Sequence, residues 1–106
     1  MKAEIKKIAR HYGIRHQTMK TLEELGELNT EIARLVLMNS EPLHLVTVAE
    51  VDAELEKVIG EIADVEIMLE QFKYLYDCEE LVEVVKVQKI ARQLERMKNE
   101  KWKEKD

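Results

Sequence analysis

Residues 48–76 read VAEVDAELEKVIGEIADVEIMLEQFKYLY, a stretch with helical periodicity throughout and no Pro. Stepping about 100° per residue places Val58 and Val65 on one apolar face of the predicted helix. Glu61 lies inside the same apolar arc, and Asp64 lies at its edge. A carboxylate that points into a core loses hydration, so it requires a paired cation, a metal ion or a bound proton. The stretch therefore predicts a long helix that carries an acidic site on its buried face.

Acidic residues also cluster on the preceding predicted helix, residues 14–38. Glu23, Glu24 and Glu27 stand three or four residues apart, so they project from one edge of that helix beside its apolar stripe. Like charges at these spacings repel one another, and a shared cation would offset that repulsion. For this helix alone, the ordinary solvated face of a Glu-rich helix explains the pattern equally well.

The two acidic groups together match the requirements of a hard cation. Mg²⁺ takes oxygen ligands and is typically held by a few carboxylates together with substrate phosphates. Glu24 with Glu27, and Glu61 with Asp64, are two i,i+3 pairs that each span about 60° of their helix. Facing helices would bring both pairs to one or two such ions. The alternative for Glu61 is a salt bridge to a Lys or Arg of another helix.

Turn signals divide the chain into helices. Gly13 is suited to end a short N-terminal helix, and Pro42 cannot continue the helix that follows. Thr47 and Glu50 have the spacing of a capping box, and Asp77 is expected to cap the last helix. The predicted helices cover residues 1–12, 14–38, 48–76 and 78–98, and a frayed tail covers residues 99–106.

Composition favours a single all-α domain. Hydrophobic residues make up 45% of the chain and charged residues 37%, with one Pro and three Gly. We predict an antiparallel helical bundle of three main helices plus the short N-terminal helix. Because a chain of 106 residues buries a modest core, we expect oligomerisation to complete the bundle.

Net charge and cysteine content restrict the classes of partner and the cellular compartment that we expect for this protein. The net charge of -5 argues against a nucleic-acid polymer as partner, since such binding depends on Lys and Arg. A single cysteine, Cys78, cannot form an internal disulfide, which favours a reducing compartment. No apolar run approaches the roughly 18 residues of a membrane span, and the N-terminus lacks a signal-peptide core. We therefore expect a cytoplasmic protein with no membrane partner.

The acidic motifs resemble those of the MazG-like all-α nucleoside triphosphate pyrophosphohydrolases. The signature of that family is EExxE followed downstream by ExxD, and here it reads EELGE at residues 23–27 and EIAD at residues 61–64. The stretch YGIRHQ at residues 12–17 looks like the approach to the first motif helix in phage-type members. The resemblance covers residues 12–97.

This resemblance implies an activity, an assembly and a site. The activity is the Mg²⁺-dependent cleavage of an NTP or dNTP between its α and β phosphates, with Mn²⁺ as the alternative ion. The products are the monophosphate and pyrophosphate, and the assembly is a homodimer or homotetramer. By motif position the metal ligands are Glu23, Glu24, Glu27, Glu61 and Asp64, of which Glu24, Glu27 and Glu61 also serve catalysis.

The same resemblance implies substrate contacts on either side of the acidic motifs. Gln17 and Lys20 lie one or two turns before the acids and are expected to contact the nucleotide. On the last helix, Lys89 and Arg96 match a phosphate-binding Lys and Arg of the family. Gln93 stands between them where the family has Asn, so this part of the match is incomplete.

Two other functions fit the same residues. One is a non-catalytic oligomeric helical interaction module, whose acids make salt bridges between subunits. The other is a dUTP- or dCTP-specific hydrolase of the same all-α fold, which differs only in substrate. The spacer between Glu27 and Glu61 is longer than the family leads us to expect and contains Pro42. Its extra length would reshape the base pocket or the subunit interface.

Overall fold

The structure is a computed structural model that describes residues 1–40 and 45–100. Over these residues the chain is helical and contains no strand, which confirms the predicted all-α class. The three helices are α1 (Lys2–Ser40), α2 (Val48–Leu75) and α3 (Glu79–Met97). The predictions for Pro42 and for most of the C-terminal tail fall outside the described residues.

Helix α1 is interrupted at Gly13. The φ of 85° and ψ of 168° at this residue are non-helical and belong to a backbone region that is essentially restricted to glycine. Residues 2–12 and 14–40 are therefore two helical segments joined by a kink. The predicted end of the N-terminal helix is confirmed, and the second segment extends to Ser40 rather than to residue 38.

The start of α2 is confirmed, whereas the cap predicted for α3 is wrong. The Glu50 N–H donates to Thr47 Oγ1 at 3.1 Å, and the Thr47 N–H donates to Glu50 Oε1 at 3.4 Å. This reciprocal capping box places Val48 first in the helix. Asp77 has a φ of 51°, so it is in the left-handed region, which an N-cap residue does not adopt. Cys78 is the N-cap of α3 and makes no side-chain capping bond.

The chain divides into two compact units, residues 1–76 and 77–106. In the first unit α1 and α2 form an antiparallel hairpin, since residues near the kink of α1 contact the end of α2. The Gln17 side-chain amide donates to Gln71 Oε1 at 2.7 Å, and the hydroxyls of Thr18 and Tyr76 are 2.7 Å apart. The hairpin is the element that positions the acidic residues.

The interface between α1 and α2 is unusually polar. The apolar side chains buried in the described part of this unit are Ala9, Val58, Val65 and Met68. They share the interface with five buried polar or charged residues, Gln17, Thr21, Glu24, Glu54 and Gln71. Because polar residues take these central positions, much of the apolar stripe predicted for residues 14–38 faces outward. Leu22 is 67% exposed, and Leu25 is 42% exposed.

The second unit contains α3. None of its residues from Glu79 to Met97 is buried. Ion pairs within this unit join Lys86 to Glu83 at 3.1 Å and Lys98 to Glu95 at 3.3 Å. Across residues 1–40 and 45–100, no helix has both the length and the apolar character needed to cross a membrane.

Candidate metal centre

Helix α1 turns Glu24 towards α2. The side chain of Glu24 is 10% exposed, and its Oε1 lies 3.3 Å from the ammonium of Lys20, one turn earlier. Its other oxygen, Oε2, is buried and has no hydrogen-bond partner within the described part of the chain. A carboxylate oxygen that has lost water without gaining a partner is energetically costly. A further positive group or a bound proton would relieve this cost.

Helix α2 brings two more carboxylates to Glu24. Glu61 is half-buried on the side that faces α1, and Asp64 is exposed one turn later. One oxygen from each of the three residues lies within 4.8 Å of the others. Oxygens bound at about 2.0–2.6 Å to one ion stand at most about 5 Å apart, so this separation suits a hard divalent cation. Among the residues that the structure describes, Glu61 Oε2 also has no hydrogen-bond partner.

Glu27 lies beside these residues on α1. A hydrogen bond with Glu24 raises the pKa of Glu27, and repulsion by Glu24, burial and the charge of Glu61 raise it further. These neighbours therefore disfavour the charged form of Glu27 when no cation is bound. We call Glu24, Glu27, Glu61 and Asp64 the acidic cluster. It brings together four of the five metal ligands expected from the motifs.

The environment of Glu61 agrees with its predicted position in the apolar arc of α2. Burial raises the pKa of Glu61, and the charges of Asp64, Glu24 and Glu31 raise it further. A hydrogen bond with Glu27 opposes these effects. The carboxyl of Glu61 therefore meets both loss of water and repulsion, which are the conditions that a bound cation relieves.

Lys20 and Glu23 form the rim of the acidic cluster. The Lys20 ammonium lies 3.5 Å from Glu23 and 3.3 Å from Glu24. The hydrogen bond with Glu24, followed by the charge of Glu23, raises the pKa of Lys20, so this side chain stays protonated. Glu24 thus obtains one ion pair from its own helix. A single ammonium does not balance the acidic cluster, and the fifth expected ligand, Glu23, is the outermost acid.

An open cleft of about 470 Å³ adjoins this rim. Within it the rings of Tyr12 and His16 stack, with their centroids 4.9 Å apart and their planes at 18°. Lys20 and Glu23 belong to both the cleft and the rim, so the cleft lies next to the acidic cluster. The residues that line the cleft are Tyr12, Arg15, His16, Met19, Lys20 and Glu23.

Sequence motifs assign no role to four of these cleft residues, Tyr12, Arg15, His16 and Met19. Tyr12 and His16 have i,i+4 spacing, which would place them side by side on a continuous helix. Gly13 lies between them and predicts the end of a helix, so the sequence places Tyr12 and His16 on different helices. Their i,i+4 spacing is the sequence feature that indicates their contact, and the glycine argues against using it.

The other expected substrate contacts lie outside the cleft lining. Gln17 is 4% exposed and bonds with Gln71 inside the hairpin, while its Oε1 lies 2.6 Å from His16 Nδ1. Lys89 and Arg96 are exposed on α3, in the second compact unit. Of the four predicted substrate-binding residues, Lys20 is the one that lines the cleft.

Acidic residues continue along the interface beyond the motifs. Glu54, two turns before Glu61, is 4% exposed. Its Oε2 is buried and has no hydrogen-bond partner in residues 1–40 and 45–100. On α1 the side chain of Glu31 is 13% exposed and pairs with Arg34 at 2.8 Å. Glu54 lies outside the group of three carboxylates that can share an ion.

Comparison with known proteins finds no relative of this chain. No family model, no curated protein and no solved structure matches it. The structural class of this protein is therefore described from its fold and candidate site alone. It is an all-helical protein in which two antiparallel helices hold a partly buried group of carboxylates beside an open cleft.

Proposed function

We propose that this protein is a Mg²⁺-dependent nucleoside triphosphate pyrophosphohydrolase. The observation that carries the proposal is the buried Oε2 of Glu24, which has no hydrogen-bond partner in the described structure and belongs to a group with Glu61 and Asp64. Donors that are all oxygen suit Mg²⁺ or Mn²⁺ better than Zn²⁺, which favours nitrogen and sulfur ligands. The choice of reaction rests on the resemblance of residues 23–27 and 61–64 to the MazG-like motifs.

In this proposal Glu24, Glu61 and Asp64 hold the ion, with Glu27 beside them and Glu23 as an outer ligand. The bound ion would neutralise phosphate charge and lower the pKa of a water molecule. Stacked rings in the cleft offer a surface for the base, and Lys20 and Arg15 offer positive charge for phosphate oxygens. Contacts from Gln17, Lys89 and Arg96 are proposed from the motif resemblance alone.

The hydrolysis requires a base. Water adds to the α phosphorus while the bond from that phosphorus to the bridging oxygen breaks, and pyrophosphate leaves with the bridging oxygen. We assign the proton of the attacking water to Glu27. Glu27 lies beside Glu24 but outside the group of three carboxylates that can share an ion, so its carboxylate would stay available to accept this proton. Glu24 and Glu61 act in catalysis by holding the ion.

The assembly and the location belong to the same proposal. We propose a homodimer or homotetramer that acts in the cytoplasm. The hairpin buries few apolar side chains, so a second copy would enlarge its core. The single cysteine and the net charge of -5 fit a reducing compartment without a nucleic-acid polymer as partner.

Turnover of a nucleotide panel tests the proposed reaction. Wild-type protein is incubated with each NTP and dNTP, dUTP and dCTP included, in Mg²⁺, Mn²⁺ or EDTA. Pyrophosphate and monophosphate should form only when metal is present. Glu61→Gln should lower turnover by at least about 100-fold and abolish the increase in melting temperature caused by Mg²⁺. Glu66→Gln makes the same change at an exposed position of α2 and should preserve both properties.

The outcomes separate the candidate functions. If folded wild-type protein releases no pyrophosphate and does not melt higher with Mg²⁺, the hydrolase proposal fails and a helical interaction module takes its place. If dUTP or dCTP is the sole substrate, the protein is a specific hydrolase of the same all-α fold. Circular dichroism of each variant distinguishes lost chemistry from lost helix.

A further inference from the structure

A chain of hydrogen bonds leads from the buried interface of the hairpin to the cleft. Gln71 is 1% exposed and Gln17 is 4% exposed, so neither side-chain amide depends on water for its partners. Gln71 Nε2 donates to Met68 Sδ at 3.6 Å, and Gln17 Nε2 donates to Gln71 Oε1 at 2.7 Å. Gln17 Oε1 lies 2.6 Å from Nδ1 of His16, which is exposed and lines the cleft.

The sulfur of Met68 sets the direction of these hydrogen bonds. A thioether has no hydrogen to donate, so the Gln71 atom beside it is the amide nitrogen. The Gln71 oxygen is then turned towards Gln17, which donates through its own nitrogen. Reversal of both amides would place the buried Gln71 oxygen against the sulfur, where it has no donor, and that arrangement costs free energy.

The same direction fixes the position of the proton on His16. The Gln17 atom beside the ring is an amide oxygen, which only accepts, so His16 Nδ1 carries the hydrogen of this bond. A neutral imidazole has one N–H, and Nε2 therefore keeps its lone pair. Among the residues that the structure describes, Nε2 has no hydrogen-bond partner. The ring of Tyr12 stacks on the imidazole and restrains its plane.

We propose that the amides of Gln71 and Gln17 hold His16 in the Nδ1–H tautomer, so that Nε2 accepts a hydrogen bond from the amino group of a nucleobase in the cleft. The nucleobase rests on the proposed function, whereas the tautomer does not. Cytosine and adenine have an exocyclic amino donor, and uracil and hypoxanthine have a carbonyl oxygen in its place. Opposite Nε2, a carbonyl oxygen would find no donor. The cleft should therefore prefer bases with an amino group.

This inference changes the role of Gln17. Its motif position predicts direct contact with the nucleotide, but its side chain is buried and reaches the cleft through His16. Gln17 is thus a positioning residue, and Gln71 supports it from the other helix. Arg15 and Lys20 line the same cleft, and their positive charge serves phosphate oxygens rather than the choice of base.

Nitrogen-15 NMR tests the tautomer in metal-free protein at about pH 9, where an imidazole is neutral. His16 should show a protonated Nδ1 and an unprotonated Nε2. The matched control is His11, which is exposed and also contacts the Tyr12 ring, and it should show the mixture of tautomers found in free histidine. Gln71→Met leaves Gln17 and His16 in place and should shift His16 towards that mixture. The wild-type spectrum decides the tautomer even if this variant does not fold.

Binding of nucleoside monophosphates in EDTA tests the ligand. The pairs are dCMP with dUMP and dAMP with dIMP, and each pair exchanges an amino group for a carbonyl. In at least one pair the amino member should bind about three- to ten-fold more tightly, which is the effect of one hydrogen bond. His16→Phe keeps an aromatic ring without Nε2 and should reduce this preference to less than about two-fold. His11→Phe is the matched control and should retain it.

These measurements contain neither metal nor triphosphate, so this inference and the hydrolase proposal can fail separately. A proton on Nε2 of wild-type His16 would overturn the tautomer. Equal binding within both pairs, or no binding of any of the four nucleotides, would overturn the preference for an amino group. A preference that survives in His16→Phe would show that another residue reads the base. Pyrophosphate release without any such preference would leave the hydrolase proposal standing alone.

Discussion

Glu54 and Glu61 are carboxylates on the same side of α2, two turns apart, but their surroundings differ. Glu61 belongs to a group with Glu24 and Asp64, so one cation would serve all three residues. Glu54 lies outside this group, and its buried Oε2 has no hydrogen-bond partner among the described residues. The unpartnered Oε2 of Glu54 therefore costs stability, and an ion shared by Glu24, Glu61 and Asp64 would not relieve that cost.

Replacing this carboxylate tests the difference. Glu54→Gln keeps the shape of the side chain and removes the charge, so it should raise the free energy of unfolding by about 1 kcal/mol. Urea unfolding should show the same gain in EDTA and in Mg²⁺. The matched control, Glu56→Gln, lies exposed on α2 and should change stability by less than about 0.5 kcal/mol. A loss of stability found only in Mg²⁺ would instead make Glu54 a metal ligand.

Without metal, the contribution of Glu27 and Glu61 to stability should fall as pH rises. The pKa values of Glu27 and Glu61 are raised above 4.5 in the folded state, so the folded chain binds more protons than the unfolded chain. Their contribution to stability is then fully present below the ordinary pKa and is lost as pH rises through the raised pKa. Urea unfolding in EDTA from about pH 4 to pH 8 should show wild type losing more stability than Glu27→Gln or Glu61→Gln. Parallel profiles would contradict the shifts.

The two segments of helix α1 contribute different residues to the first compact unit. The segment before Gly13 supplies Ala9 to the hairpin core, and its Arg10 donates to the Tyr74 hydroxyl at 2.9 Å. The segment after Gly13 contains Glu24 and the rest of the α1 acids. Because the cleft draws Tyr12 from before the kink and His16 from after it, the backbone at Gly13 sets its shape.

A pair of glycine substitutions tests the kink. At Gly13, with φ of 85°, an alanine should cost about 1–3 kcal/mol, because this backbone region strains any side chain. At Gly26, inside the helix, an alanine should stabilise by about 0.5–1 kcal/mol. A Cβ at either position meets no atom within 4 Å, so the backbone decides both results. Urea unfolding should give changes of opposite sign, and changes of the same sign would contradict the role of Gly13.

At the scale of the whole molecule, the two sides of the hairpin in the first compact unit differ in chemistry. One side has the acidic cluster and the cleft, and the other has exposed apolar side chains such as Leu25 and Ile62. Buried positions taken by Gln17, Glu24, Glu54 and Gln71 reduce the apolar core that one copy can form. Burial of these polar side chains therefore lowers the hydrophobic contribution to the stability of the hairpin.

Local chemistry explains why much of the fold follows from the amino-acid sequence. The kink depends on Gly13 itself, and the start of α2 depends on the reciprocal bonds between Thr47 and Glu50. The periodicity of α2 was enough to place Glu61 on its buried side and Asp64 at the edge. These features depend on interactions within one or two helical turns. They can therefore be predicted from the sequence without the position of the neighbouring helix.

The rotation of α1 about its own axis and its position along α2 are determined by tertiary packing, and the sequence alone does not predict them. The motif EELGE does not distinguish which of Glu23, Glu24 and Glu27 is buried. In the packed hairpin Glu24 is the buried residue. Gln17 appeared to be a substrate contact by motif position, yet packing pairs it with Gln71. The periodicity of α1 alone supports several rotations, and contacts between residues more than 35 positions apart in the chain choose among them. Burial of particular polar atoms, on which the candidate site depends, is a property of that choice.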